Sequence, residues 1–263
     1  MTHEDLEHKL LSGGVIHIDG CPTYKVTLKE MADVGFTKVQ NVIGLLSLED
    51  SSASRFITGV EDDELSTYHV LAIGFLQDLY KKQNGAHNKD DLLCDVVLTF
   101  LTLFFKQKVF FDECSGFVVK NEDDEIIFIL NEDNYSQFRN VLRYRNCLID
   151  IDDIADNNPA NEMAAKLLEK RRMLREKIHN SKKAQGEDGL TMADLISIFA
   201  EAESMPIQDV YQNYDIYQFN NQFNRLKIMD DFKVNIQALL AGAKAEDIKL
   251  KHWLSKINNK EER

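Results

Sequence analysis

The sequence has little proline, little cysteine and no long uncharged apolar run. With three prolines in 263 residues, a long Pro-rich linker is excluded. The longest apolar run, 92–105, contains Asp95 and is shorter than the roughly 20 residues that a membrane-spanning helix needs. The N-terminal MTHEDLEHKL has no apolar signal core. The four cysteines, none in a CxxC pair, indicate reduced thiols and a soluble cytoplasmic protein: Cys21, Cys94, Cys114 and Cys147.

Positive charge is also scarce. Lys and Arg number 31 against 44 Asp and Glu, so the net charge is −13. A duplex-DNA binder needs a basic footprint, and anionic lipids attract basic segments. We therefore expect no DNA partner and no membrane partner.

The charge is unevenly distributed, and its changes divide the chain. Residues 158–186 are net basic, whereas the segments on both sides are net acidic. We predict an α+β fold with three parts: a mixed N-terminal domain at 1–157, a charged helical linker at 158–188 and an all-α C-terminal domain at 189–263. Pro159 suits the first position of the linker helix.

Periodicity gives the elements of the N-terminal part. Short strands are expected around the turn Gly20–Pro22. Helices are expected over 62–82, over 90–105 and, with Asn131 or Asp133 as the cap, through Cys147. Between the last two helices, 117–119 and 126–130 flank the acidic turn 121–124 and predict a small hairpin.

Capping signals organise the C-terminal part. Thr191 is expected to cap a helix, and Pro206 to begin another. Asp215, with Gln218 in the capping-box position, is expected to begin a long helix that ends near Gly242. The inward set of the first of these helices is predicted as Leu195, Ile198, Phe199 and Ala202, and a last short helix is predicted over 247–257.

Motifs for catalysis, cofactors and metals are missing. The sequence contains no GxxxxGK[ST], no GxGxxG after a strand, no GxSxG and no HExxH. The acidic run 150–161 lacks the Gly and Glu of a calcium loop. His17, Asp19 and Cys21 alternate as metal ligands could, but a polar strand face explains them better. We predict a non-enzyme with no catalytic residues, no metal and no cofactor.

Two groups of basic residues are weak indications of a binding site. Arg139, Arg143 and Arg145 follow the predicted hairpin and could grip a carboxylate or phosphate, although balancing an acidic surface is the commoner role. The basic strip 166–175 has no interleaved aromatic side chain to stack on RNA bases, so a solvated helix is the better interpretation.

The stretch YQNYDIYQFNNQFNRL, residues 211–226, combines aromatic and amide side chains. On a helix, Phe219 and Phe223 share one face and serve a core. The tyrosines and asparagines on the other faces suit either a protein partner or packing against the 191–202 helix. The residues predicted to contact a partner are Tyr214, Tyr217, Asn220, Asn221 and Trp253.

Several long phrases resemble phage proteins. TLKEMADVGFTKVQNVIGLLSL, EDDEIIFILNEDNYSQFRNVLRYRN, NPANEMAAKLLEKRRMLREKI and the chain from Leu195 to Ile257 are similar to pieces of tail assembly proteins of phages that infect Gram-positive bacteria. The resemblance implies a tail assembly chaperone in the host cytoplasm, whose partners would be the tape-measure protein and the tail-tube protein. The resemblance is also compatible with a homo-oligomer.

Two other hypotheses remain open at this stage. The chain could be a structural tail or baseplate component of the virion. It could also be a metal-dependent nucleic-acid or nucleotide enzyme that uses its acidic clusters, which the lack of motifs makes the less favoured alternative.

Overall fold

The protein has an α+β fold. A computed structural model describes residues 2–48, 66–83, 93–148, 190–244 and 252–255. Within these ranges, helices predominate and two small antiparallel sheets complete the structure, as predicted. In chain order the elements are α1 (His3–Ser12), β1 (Ile16–Ile18), β2 (Cys21–Thr23), α2 (Leu28–Val34), α3 (Phe36–Leu46), α4 (Thr67–Gln83), α5 (Leu93–Phe105), β3 (Lys108–Asp112), β4 (Gly116–Lys120), β5 (Ile126–Leu130), α6 (Glu132–Arg145), α7 (Met192–Ala202), α8 (Ile207–Asn213) and α9 (Ile216–Leu240).

Reciprocal capping boxes begin five of the helices. In each, the N-cap side chain accepts a hydrogen bond from the backbone N–H three residues later, and the side chain at that position accepts one from the N-cap N–H. Two of the backbone donors that a helix start leaves unpaired are thereby satisfied. The predicted caps Asn131, Thr191 and Asp215 are confirmed, and the sequence analysis missed Thr2 and Thr27.

The larger sheet has the strand order β3-β4-β5, all antiparallel. The predicted hairpin corresponds to β4 and β5. The sequence analysis missed β3, because its apolar core, Val109–Phe111, is only three residues long and shows no alternation in the sequence. One face of the sheet carries Phe117 and Phe128 into the core.

A cluster of phenylalanines on α5 and α6 forms the centre of the core. Phe104 contacts Phe105 and Phe138 edge-on, with ring centroids 5.4 and 5.6 Å apart. Phe138 also lies 5.6 Å from the ring of Tyr135, whose hydroxyl donates a hydrogen bond to the Leu46 carbonyl oxygen.

The C-terminal helices pack on the N-terminal part. α8 packs against α2, and α9 packs against α1 and α6. Phe199, Val210 and Phe219 therefore belong to the same hydrophobic core as Phe104 and Phe138. The predicted linker helix lies outside the described residues, and the predicted domain boundaries stay a prediction.

Two local predictions need correction. On α7 the buried residues are Ile196, Phe199 and Ala200, whereas Ile198 is 45% exposed and Ala202 is exposed. The observed inward face of α7 differs from the predicted one because α8 and Tyr214 cover the side of the helix that carries Phe199. Of the short helix predicted over 247–257, residues 252–255 form a turn, closed by the Ser255 N–H donating to the His252 carbonyl oxygen at 2.8 Å.

Truncating the central ring tests this core. Phe138→Ala should lower the free energy of unfolding by about 3–5 kcal/mol, because the ring is fully buried and its removal leaves a cavity among the neighbouring rings. Urea unfolding followed by circular dichroism measures the change. Ile126→Ala, at a side chain 58% exposed, is the control and should change it by less than about 1 kcal/mol. Equal losses in the two variants would contradict a core centred on Phe138.

Candidate functional site

The aromatic face of α9 belongs to the core. Phe219 is fully buried, with its ring 5.5 Å from that of Phe199 and 5.6 Å from that of Phe223. Tyr214 meets Phe199 edge-on at 5.7 Å. The structural role predicted for Phe219 and Phe223 is therefore confirmed.

The two predicted contact tyrosines lie largely inside the protein. Tyr217 is only 5% exposed. Tyr214 is half-buried, and its backbone carbonyl accepts a hydrogen bond from the Leu28 N–H at 2.9 Å. These positions favour a structural role, since little of either side chain is left for a partner.

The predicted asparagines occupy intermediate positions. Asn220 and Asn221 are both half-buried on α9. The Asn220 amide nitrogen is buried without a hydrogen-bond partner among the described residues. A buried donor left unpaired costs about 1–3 kcal/mol, so this amide is unfavourable for the stability of the fold.

The predicted Trp253 is the most exposed of the five. Arg225 donates through Nη1 to the carbonyl oxygens of Trp253 and Ser255, at 2.7 and 2.9 Å. The His252 ring lies 5.3 Å from Phe232 and 6.0 Å from Trp253. The turn 252–255 is thus held against α9, while Trp253 remains 42% exposed and Leu254 67% exposed. The structure brings Trp253 to the middle of α9, apart from Tyr214 and Tyr217 at its start.

Polar contacts hold the start of α9 on the N-terminal part of the protein. Lys25 donates through Nζ to the Asn213 carbonyl at 2.6 Å and to the Gln218 side-chain oxygen at 3.2 Å. The Gln218 amide nitrogen in turn donates to the Leu11 carbonyl at 2.8 Å. These bonds fix the direction in which α9 leaves the core.

A buried ion pair lies beneath these contacts. Arg145 is 4% exposed and Asp215 is 3% exposed, with Arg145 Nη1 3.9 Å from Asp215 Oδ2. Arg145 Nη2 donates to the carbonyl oxygens of Gly14 at 2.8 Å and Thr23 at 3.3 Å. One arginine therefore joins α6, the β1–β2 hairpin and the N-cap of α9.

Burial shifts the ionisation of this pair. Loss of water raises the pKa of Asp215 to about 6, although its hydrogen bonds at the helix start and the charge of Arg145 act in the opposite direction. The same loss of water lowers the pKa of Arg145 to about 10, so the arginine stays charged at neutral pH. Asp215 is thus an ionised N-cap at pH 7 and a protonated one near pH 5.

The sequence analysis missed the buried role of Arg145. A signal was present, because Arg145 follows Phe138 and Leu142 by seven and three residues and so lies on the inward face of α6. Arg139 also acts structurally, donating through Nη1 to the Leu48 carbonyl at 3.1 Å.

The weak metal candidates do not form a cluster where the structure covers them. His17 and Cys21 lie on different strands of the β1–β2 hairpin, on either side of the Asp19–Gly20 turn. Among the described residues, no three His, Cys, Asp or Glu side chains come together as metal ligands would. The acidic run 150–161 lies outside the described residues. None of the helices within those ranges combines the length and hydropathy of a membrane crossing.

Comparison with known proteins links the C-terminal part of the chain to phages. Residues 180–258 match the family model described as the YomV second domain. The match spans less than a third of the chain and contains α7, α8, α9 and the Trp253 turn. It indicates a phage-related protein. No curated protein matches the chain, and no solved structure matches it either.

The raised pKa of Asp215 predicts an unusual pH dependence of stability. A carboxyl group whose pKa is higher in the folded than in the unfolded protein stabilises the fold below pH 4, and this contribution is lost as the pH rises through 6. Between pH 7 and pH 4 the carboxyl group of Asp215 should therefore add up to about 3 kcal/mol to the free energy of unfolding.

Asp215→Asn isolates this effect, because Asn is also a good N-cap residue. Urea unfolding of the wild type and the variant at pH 7, 6, 5 and 4.5 gives the difference in stability at each pH. The variant should lack the gain on acidification. Parallel pH profiles for the two proteins would show that Asp215 titrates normally and that the pair is not desolvated.

Proposed function

We propose that the protein is a non-enzymatic phage tail assembly protein that acts as a chaperone for the tape-measure protein in the host cytoplasm. In this role it keeps the long helical tape measure soluble and assists the polymerisation of tail-tube subunits around it. The observation that carries the proposal is that the segment matching a phage-related domain also holds the most exposed predicted contact residue, Trp253.

The geometry of the C-terminal turn supports partner binding. Tryptophan and arginine dominate the energetics of many protein interfaces, and an anchor that is ordered before binding loses less entropy on association. Trp253 and Leu254 are exposed while Arg225 fixes their backbone. Met229, 36% exposed, lies one helical turn after Arg225 on the face of α9 that holds the turn, so this surface suits an amphipathic helix as its partner.

The resemblance to tail assembly proteins supports the finer assignment. It extends over both the N-terminal phrases and the C-terminal segment, whereas the family match covers the C-terminal segment alone. Because a chaperone leaves the assembled particle, the proposal also implies that the chain is missing from mature virions. Mass spectrometry of purified particles distinguishes this role from that of a structural tail or baseplate component.

Co-expression with the tape-measure protein tests the proposal. The wild type should shift the tape-measure protein into the soluble fraction, and the double variant Trp253→Ala/Leu254→Ser should reduce the soluble fraction several-fold because it removes the exposed apolar contact. The quantity measured is the soluble tape-measure protein on a gel after centrifugation.

Ile126→Ala is the matched control for this experiment. It also removes an exposed apolar side chain, but on β5 in the N-terminal part, so solubilisation should be unchanged. Circular dichroism checks that all variants are folded. A tape-measure protein that is equally insoluble with and without the wild-type chain would overturn the chaperone function.

A further inference from the structure

A cavity lies between three helices and the sheet, away from α9. Its volume is about 200 Å³. Its walls come from the end of α3, one face of α4, the first turns of α5 and the middle strand β4. The lining residues include Leu46, Val70, Leu71, Phe75, Val97 and Phe117.

The walls of this cavity are apolar and buried. Leu46 is fully buried, Phe117 is 1% exposed, and the other four apolar side chains just named are less than 9% exposed. Among the described residues, the polar side chains of the lining are Gln77 and Asp78 on α4, and the cavity opens to solvent there, because Gln77 is exposed. Asp78 lies 3.6 Å from the Nζ of Lys81 on the same helix, so its charge is balanced locally. A ligand inside the cavity would therefore contact mainly carbon atoms rather than charged groups.

Glycine at position 74 contributes to the open space. Gly74 lies in the middle of α4 and lines the cavity, and a Cβ added there would meet no atom of the described residues within 4 Å. A glycine inside a helix costs about 1 kcal/mol relative to alanine. α4 therefore contains a glycine, which lowers its helix propensity, at the position where a larger side chain would fill the cavity.

The volume of the cavity and its lining residues together indicate which ligands it can hold. An engineered cavity of about 150 Å³ lined by Leu, Ile and Phe stays dry and binds benzene or xenon. A cavity of 200 Å³ with the same kind of walls has room for one aromatic ring with a short substituent. We propose that this cavity is a binding site for small, uncharged, mono-aromatic molecules. The site is independent of the function proposed above, since it shares no residue with the Trp253 turn.

Ligand binding is tested with benzene and fluorobenzene as probes on the full chain. A ligand that binds the folded state stabilises it, so benzene should raise the melting temperature of the wild type by a few degrees. In parallel, ¹⁹F NMR should show saturable broadening of the fluorobenzene signal, which excess benzene reverses. A melting temperature that benzene does not raise, together with fluorobenzene broadening that does not saturate, would overturn the proposal.

Two helical glycines provide a matched pair of variants. Gly74→Leu places a side chain in the cavity and should weaken fluorobenzene binding at least tenfold. Gly44→Leu is the control: Gly44 is exposed in α3, and no atom of the part of the chain that the structure describes lies within 4 Å of an added Cβ. The variant therefore gains the same helix propensity without filling the cavity. The control should bind fluorobenzene as the wild type does.

The two glycine variants together decide whether the ligand binds in this cavity. Loss of binding in Gly74→Leu with retention in Gly44→Leu places the ligand in this cavity. Equal binding by both variants would place it elsewhere and refute the site. If Gly74→Leu does not fold, Val97→Phe fills the same space from α5, and the same loss of binding is expected.

Discussion

A buried ion pair, with Arg145 Nη1 3.9 Å from Asp215 Oδ2, links the end of α6 to the start of α9. The arginine stands at the end of α6 and the aspartate at the start of α9, 70 residues apart in sequence. The same guanidinium donates to the carbonyls of Gly14 and Thr23. Removing two charges from water is expensive, and the attraction between them repays that cost only in part. The pair therefore contributes more to where α9 starts than to overall stability.

This position of α9 explains why the two halves of the chain share one core. With its first turn fixed beside α1 and α2, the helix places Ile216, Tyr217 and Phe219 against the N-terminal part. Phe199 of α7 then closes over Phe219. Beyond Phe219 no residue of α9 is fully buried, so the rest of the helix extends along the surface. A single element thus serves as a core helix at one end and as a surface at the other.

Sequence reasoning predicted the elements better than their contacts. The caps at Asn131, Thr191 and Asp215 were predictable because capping is a local interaction within four residues. β3 and the inward face of α7 were not, because each depends on a partner distant in the chain. The buried role of Arg145 shows the same limit: its helical face was visible in the sequence, but its acceptors, the carbonyl oxygens of Gly14 and Thr23, were not. Among the predicted contact residues, composition could not separate Tyr217, which is buried, from Trp253, which is exposed.

The contrast between the two ends of α9 bears on function. An aromatic and amide-rich stretch attracts attention in the sequence, yet most of its rings are used to join the C-terminal helices to the core. What remains accessible is the turn that Arg225 holds against the helix, with Trp253 and Leu254 facing outward. A surface built in this way depends on the far end of the helix, where the hydrogen bonds of Lys25 and Gln218 fix the direction of the helix on which the turn rests. The partner contact proposed for this turn and the internal architecture of the protein are therefore linked through α9.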